Sequence, residues 1–114
     1  PIRKKDGEVI AFAGRTLERS NPPQAKPGDP ERKPPPKYLN TPETSYFNKS
    51  ATLYGLYESK SGINKAGFAV AVEGYMDVVM LHQYGFDNAV GIMGADANEH
   101  AFETLWGMTN NLVF

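Results

Sequence analysis

The stretch Phe68-Ala69-Val70-Ala71-Val72-Glu73-Gly74-Tyr75-Met76-Asp77 decides how this chain folds. Five apolar residues end in a carboxylate, then a glycine, then a second carboxylate four positions after the first. A short unbroken apolar run is what a strand covered on both faces requires. From Tyr75 to Tyr84 the period changes. Met76, Val79, Met80 and Gln83 recur at helical spacing, and Gly85 is a suitable residue just past a helix end. Asn88 to Ile92 repeats the strand signal. Asn98 to Met108 reads as a second helix carrying Phe102, Leu105 and Trp106, with Asn98 as N-cap, and Leu112 to Phe114 begins a third strand. The order β-α-β-α-β implies a parallel, doubly wound, Rossmann-like sheet, so the fold class is α/β.

In open parallel sheets, ligands bind outside the carboxyl ends of the strands, and Glu73 occupies that position on the first strand. No Lys or Arg lies beside it in sequence. An isolated carboxylate there suits a hard cation, because magnesium takes oxygen ligands and bridges carboxylate to phosphate. It also suits a general base. The plainer reading is an acid at a helix N-terminus, stabilised by the dipole by roughly 0.3–1 kcal/mol. Asp77, one helical turn on, faces the same site or simply serves the first turn. His82 and His100 fit no metal-ligand spacing with each other, and no Ser/His/Asp or Cys/His arrangement, Walker loop or GxGxxG is present.

Upstream of the apolar run the character is different. All twelve Lys and Arg residues lie between Arg3 and Lys65, against seven Asp and Glu, for a net of +5. From Ala66 onward there are six acids and no Lys or Arg, a net of −6. A basic half that holds a polyanion and an acidic half that holds a cation is one account; two solvated surfaces of opposite sign is the other. Asp6-Gly7 between Ile2 and Val9 signals a hairpin. Asn21 to Pro36 is dense in prolines and charges and reads as an exposed loop insertion. Tyr46, Phe47, Leu53, Tyr54, Leu56 and Tyr57 are expected to pack a small core, with Lys37, Asn40 and Lys49 interleaved. That interleaving suits nucleic acid, since rings accept bases and Lys neutralises phosphate, although snorkelling lysines around an ordinary core give the same pattern. A short helix is expected from Leu56 to about Asn64, ending between Gly62 and Gly67. The organisation is therefore a mixed α+β basic subdomain over residues 1–66 and a parallel-sheet unit over 67–114.

Absence of cysteine excludes disulfides and thiolate metal sites. No apolar run approaches the ~20 residues that span a bilayer, and no signal-peptide core follows the first residues. No membrane partner is expected, and a cytoplasmic location is. The chain opens on Pro1 without an initiator methionine and closes on apolar Leu112-Val113-Phe114, which reads as a fragment.

Val72 to Val90, VEGYMDVVMLHQYGFDNAV, resembles the opening of the Toprim domain of bacterial DNA primases. Pro1-Ile2-Arg3, Gly14-Arg15, PKYLNTPET at Pro36 to Thr44, LYGLYE at Leu53 to Glu58 and TNNLVF at Thr109 to Phe114 agree with that family in order. The resemblance implies a DNA-directed RNA polymerase that makes short RNA primers on single-stranded DNA from ribonucleoside triphosphates. It implies Glu73 as magnesium (or manganese) ligand or acid–base group, with Tyr75 and Asp77 in the active-site neighbourhood. Arg3, Arg15, Lys37, Tyr38, Asn40 and Lys49 match family positions that hold template or nucleotide. Zinc is implied only for a domain preceding Pro1, and contact with the replicative helicase only for a domain far downstream. Ala95 stands where the family usually carries threonine, and Ala101 where it often carries histidine. The family's Asp-x-Asp metal ligands are expected beyond Phe114, so these 114 residues alone are expected not to synthesise primers. Rival readings are another Toprim enzyme, a topoisomerase or nuclease, and a non-catalytic nucleic-acid-binding module. PKYLN and LYGLYE have no place in a topoisomerase, and exchange of Glu73 for Gln separates enzyme from module.

Overall fold

The computed structural model describes residues 1–17, 37–93 and 99–114. The proline-rich stretch from Asn21 to Pro36, the Gly94-Ala95-Asp96 loop and the expected cap Asn98 lie outside the described residues. The chain starts with the expected hairpin. Strand β1 (Ile2–Arg3) pairs antiparallel with β2 (Val9–Ala11). Gly7 takes φ 96°, a left-handed conformation that only glycine adopts without strain, and its N–H donates to Lys4 O at 2.9 Å. Ile2 faces Ala11 and Arg3 faces Val9, so Ile10 is an extra residue that bends the ribbon.

Strand β3 (Ala13–Arg15) pairs antiparallel with β4 (Tyr38–Asn40). The second of these carries no apolar alternation of its own. It is registered by Thr41, whose hydroxyl accepts the Phe12 N–H at 2.9 Å and whose N–H donates to Phe12 O at 2.9 Å. A 3₁₀ turn at Lys49–Ala51 follows, capped by Asn48 Oδ1, which accepts the Ser50 and Ala51 N–H groups at 3.0 and 3.3 Å.

The second half is built from β5 (Leu53–Tyr54), α1 (Leu56–Ala66), β6 (Ala69–Val72), α2 (Tyr75–Gln83), β7 (Ala89–Ile92), α3 (Glu99–Trp106) and β8 (Leu112–Val113). The sheet order is β5-β7-β6-β8, with β6 parallel to both β7 and β8. The β-α-β-α-β reading holds, but the sheet is mixed instead of wholly parallel. Strand β5 runs antiparallel along β7, pairing Leu53 with Ile92 and Tyr54 with Gly91. Two residues are too few to show a strand period, so only the β7 edge reveals β5. Gly91 is what admits Tyr54: a Cβ there would stand 3.2 Å from both Tyr54 Cβ and Val78 Cγ2.

Helix α1 runs past Gly62 to Ala66 and is stopped by Gly67, φ 78°, inside the expected 62–67 range. A side chain at Gly62 would overlap the Asp87 backbone carbonyl, so this glycine is there for close packing and not for termination. Helix α2 ends as expected at Gly85. Its N–H donates to His82 O (3.1 Å) while the Phe86 N–H donates to Leu81 O (2.9 Å), the two bonds of a Schellman stop.

Two cores result. The larger joins Leu53, Ala69, Ala71 and Val90 on one sheet face to Leu56 and Ile63 of α1 and Ala101 and Leu105 of α3. Helix α2 covers the other face through Val78, which is 2% exposed, whereas Met76, Val79 and Met80 are each more than 40% exposed. The helical spacing was visible, but the buried side of α2 is the narrow one. The smaller core joins Ile2, Ala11 and Phe47 to Met93, with Tyr54 and Tyr75 packed against it. Of the run expected to pack together, Phe47, Leu53 and Leu56 are buried while Tyr46 and Tyr57 are exposed. Met93 directly follows β7, so the basic N-terminal segment is clasped to the sheet at the strand end where the first carboxylate emerges.

Candidate active site at the end of β6

Glu73 leaves the carboxyl end of β6 exposed, and it makes no hydrogen bond or ion pair with another described residue. The chain turns into α2 at Gly74 with φ −112°, ordinary extended backbone. The backbone angle therefore does not require a glycine here. Its role is to make room: a Cβ at Gly74 would lie 2.5 Å from Asp77 Oδ2. Asp77, in the first turn of α2, thus folds its carboxylate back over Gly74. Glu73 just before α2 and Asp77 in its first turn both stand at the positive end of the helix dipole.

Tyr75, between them, points the other way. Its hydroxyl donates to Asn40 Oδ1 at 3.1 Å. Its ring meets Tyr54 edge-on at 4.9 Å and lies 6.0 Å from the Tyr38 ring. Burial raises the Tyr75 phenol above its usual 10.0, against the opposing pull of the Asn40 bond. The Arg15 guanidinium lies over the outer side of the Tyr38 ring, 5.5 Å from its centre. The Thr16 N–H donates to Lys37 O at 3.0 Å, which sets Lys37 across the ribbon from Thr16, one position beyond the Arg15–Tyr38 pair. Arg15, Tyr38, Tyr54 and Tyr75 line a cleft of about 110 Å³ together with Gly14 and Met76.

Four residues singled out in the sequence, Arg15, Tyr38, Asn40 and Tyr75, therefore meet. Two others do not join them. Arg3 donates to Gly7 O at 2.8 Å and pairs with Glu58 at 3.3 Å, fastening the hairpin to α1. Lys49 sits in the 3₁₀ turn, with its backbone N–H on Glu43 Oε1 at 3.0 Å, and does not line the aromatic cleft. Tyr54 is a cleft residue the sequence reading passed over as core; its only sequence signal is position in LYGLYE.

One polar arrangement was invisible in the sequence. Ser59 of α1 is fully buried, and its Oγ lies 3.2 Å from His82 Nε2 on α2, while both side chains reach Ala89 O, at 2.5 and 2.9 Å. Among the described residues no acid bonds to the ring, and the hydroxyl is buried, so the pair joins two helices to β7. His82 is half-buried, and His100 is exposed, 3.4 Å from Glu103.

Residues 67–109 match the family model for the Toprim domain, and residues 1–60 match that for the DNA primase catalytic core, N-terminal domain. The DNA primase of Escherichia coli K12 is 41% identical over 113 residues, covering 99% of this chain and 17% of that protein. The primase of Aquifex aeolicus, solved with its zinc-binding and RNA polymerase domains, superposes with a TM-score of 0.81 at 33% identity, over 98% of this chain and 25% of that one. A primase catalytic domain bound to single-stranded DNA superposes with a TM-score of 0.78 at 41% identity, over 98% of this chain and 32% of that one. The sheet of the second half is thus that of a Toprim domain. Within that class, the chain belongs to the DNA primase catalytic-core family. It spans about a sixth of the length of the curated relatives it matches. No helix among the described residues is long and apolar enough to cross a membrane.

Proposed function

We propose that this chain supplies the template-facing and metal-facing corner of a DNA primase catalytic core, which copies single-stranded DNA into short RNA primers. The observation that carries the reading is the Tyr75–Asn40 hydrogen bond at 3.1 Å. It ties the turn bearing Glu73 and Asp77 to the ribbon bearing Arg15, Lys37 and Tyr38. A polymerase needs this neighbourhood, because carboxylates must sit within reach of phosphates held by cations. Residues 1–66 act as the basic nucleic-acid-binding subdomain and residues 67–114 as the first half of a Toprim domain.

Template and incoming ribonucleoside triphosphate bind along the ribbon. Tyr38, 40% exposed, offers a face to a base, and Arg15 and Lys37 neutralise phosphate. Glu73 and Asp77 fit magnesium or manganese as oxygen donors. No group of three candidate ligands occurs among the described residues, so an ion here keeps waters and takes substrate oxygens. When bound, the ion neutralises phosphate charge and makes the attacking hydroxyl easier to deprotonate. Glu73, lacking a described partner, is available as ligand or base. Arg3 and Lys49 complete the basic surface at a distance from the cleft. The growing RNA primer and the replicative helicase are the remaining partners, and the bacterial cytoplasm at the replication fork is the place of action.

The test is Glu73→Gln in the complete primase, reading primer synthesis and single-stranded DNA binding separately. Synthesis is expected to fall roughly a hundredfold or more with template affinity retained. Unchanged synthesis would withdraw the active-site assignment and leave Glu73 as a helix-dipole acid.

A further inference from the structure

Tyr54 lies on the edge strand of the sheet, yet its side chain reaches the turn that carries the candidate carboxylates. On β5 it stands opposite Gly91 of β7, and its ring meets the Tyr75 ring edge-on, with centres 4.9 Å apart and planes at 85°. Val78, one helical turn beyond Tyr75, packs against the glycines beside and opposite Tyr54. A Cβ at Gly55 would stand 3.0 Å from Val78 Cγ1, and one at Gly91 would stand 3.2 Å from both Val78 Cγ2 and Tyr54 Cβ. The first turn of α2 therefore rests on the β5–β7 edge through Val78 over the glycines and through Tyr75 against Tyr54. We infer that Tyr54 is a positioning residue for primer synthesis, its ring fixing the Tyr75 ring and through it the turn that presents Glu73 and Asp77.

The groups that touch Tyr75 differ in how firmly each is itself held. The Asn40 bond, at 3.1 Å, fixes only the hydroxyl at the tip of the side chain, so the ring is still free to pivot about it. Tyr38 belongs to a two-stranded ribbon, is 40% exposed, and lies 6.0 Å away with its ring tilted at 47°. Tyr54 comes from the four-stranded sheet, next to the buried Leu53, and also packs against the small core of Ile2, Ala11, Phe47 and Met93. A contact on the ring from this rigid base turns the pivot into a fixed angle. Reacting groups keep their geometry only when neighbours lock the side chains that support them, and a misplacement of about 1 Å costs roughly a hundredfold in rate. The Tyr54 hydroxyl makes no hydrogen bond with another described residue, so the ring carries the effect. This role presupposes the primase reading of the turn.

The experiment is steady-state primer synthesis by the complete primase on single-stranded DNA, with template affinity measured separately by fluorescence anisotropy. Tyr54→Leu should lower kcat roughly tenfold, while KM for nucleotides and Kd for template stay within about twofold. Tyr54→Phe, which keeps the ring, should recover most of the rate. Leu105→Val trims the larger core and not the one that Tyr54 and Tyr75 pack against, so it should destabilise the protein without lowering kcat. Should Tyr54→Leu fail to fold by circular dichroism, Tyr54→Met serves in its place, because a flexible unbranched chain fills an irregular gap. Unchanged kcat, an equal fall in Leu105→Val, or Tyr54→Phe as slow as Tyr54→Leu overturns the assignment. So does a loss confined to KM or template affinity, which would make Tyr54 a ligand contact. Glu73→Gln, assayed alongside, tells two failures apart. If it abolishes synthesis while Tyr54→Leu leaves kcat unchanged, only the role of Tyr54 falls. If Glu73→Gln leaves synthesis unchanged, the active-site reading falls and the role of Tyr54 falls with it.

Discussion

Glu73 and Tyr75 stand one residue apart on the same turn, yet the structure treats them in opposite ways. On the outer side, Glu73 is exposed without a described partner, and Asp77 leans over Gly74. On the inner side, Tyr75 is pinned by Asn40, Tyr54 and Tyr38. A carboxylate satisfied by protein donors would have little left for an ion or a proton, so the reactive side is left open. Precision comes instead from the neighbour, whose ring and hydroxyl fix the direction of the turn. Holding and reacting are thus divided between adjacent residues.

The contrast is broken most directly by truncating each residue. Tyr75→Ala removes two ring contacts and one hydrogen bond and should cost about 2–3 kcal/mol in urea unfolding. Glu73→Ala should stay within about 0.5 kcal/mol of the unaltered chain. Equal losses would mean that Glu73 has a structural partner after all. Tyr75→Phe sharpens the comparison, because it keeps the rings and deletes only the bond to Asn40. A loss of about 1 kcal/mol is expected, and combining it with Asn40→Ala should add less than the sum of the two single changes.

A smaller effect follows from pH. Burial raises the phenols of both Tyr54 and Tyr75 above 10.0 in the folded chain. Unfolded chains therefore lose these protons first. The associated stability is complete below pH 10 and declines as pH rises through the folded values. In Tyr75→Phe the alkaline decline should be shallower; an identical slope would place the titration elsewhere. The smallest change is expected for Lys37→Ala. Single-stranded DNA binding should weaken modestly and the salt slope fall by about one unit or less, with unfolding stability unaltered.

Much of the fold was legible. The Phe68–Val72 run, the 3.6-residue spacing after Tyr75 and Gly85 gave β6 and α2 nearly to the residue, because each is a local pattern set by one element's own period. The buried side of α2 was not, since Met76, Val79 and Met80 form an apolar row while Val78 is the residue facing Gly55 and Gly91. Hydrophobicity marks a helix as amphipathic, but which residue is covered depends on what packs there. Strand β5 was missed for a related reason: two residues carry no period, and its pairing lies on the far side of two helices. At the site, Arg15, Tyr38, Asn40 and Tyr75 were each named from sequence, but the cleft that Arg15, Tyr38 and Tyr75 line, and the bond from Tyr75 to Asn40, were not derivable from spacing. Arg3 and Lys49 were named alongside them and lie elsewhere.

The amino-acid sequence by itself determined the order of elements from β6 onward, the glycine turn of the first hairpin, the basic-to-acidic division of the chain and a carboxylate at the end of the first parallel strand. These follow from steric preference, periodicity and charge, all readable over a few residues. Only the tertiary structure decided that Asn40 holds Tyr75 from 35 positions away, that Ser59 meets His82, and that Leu53 and Tyr54 close the sheet edge. Such contacts connect residues whose separation along the chain says nothing of their distance. They form only when burial of Val78, Phe47 and Met93 brings the two halves together.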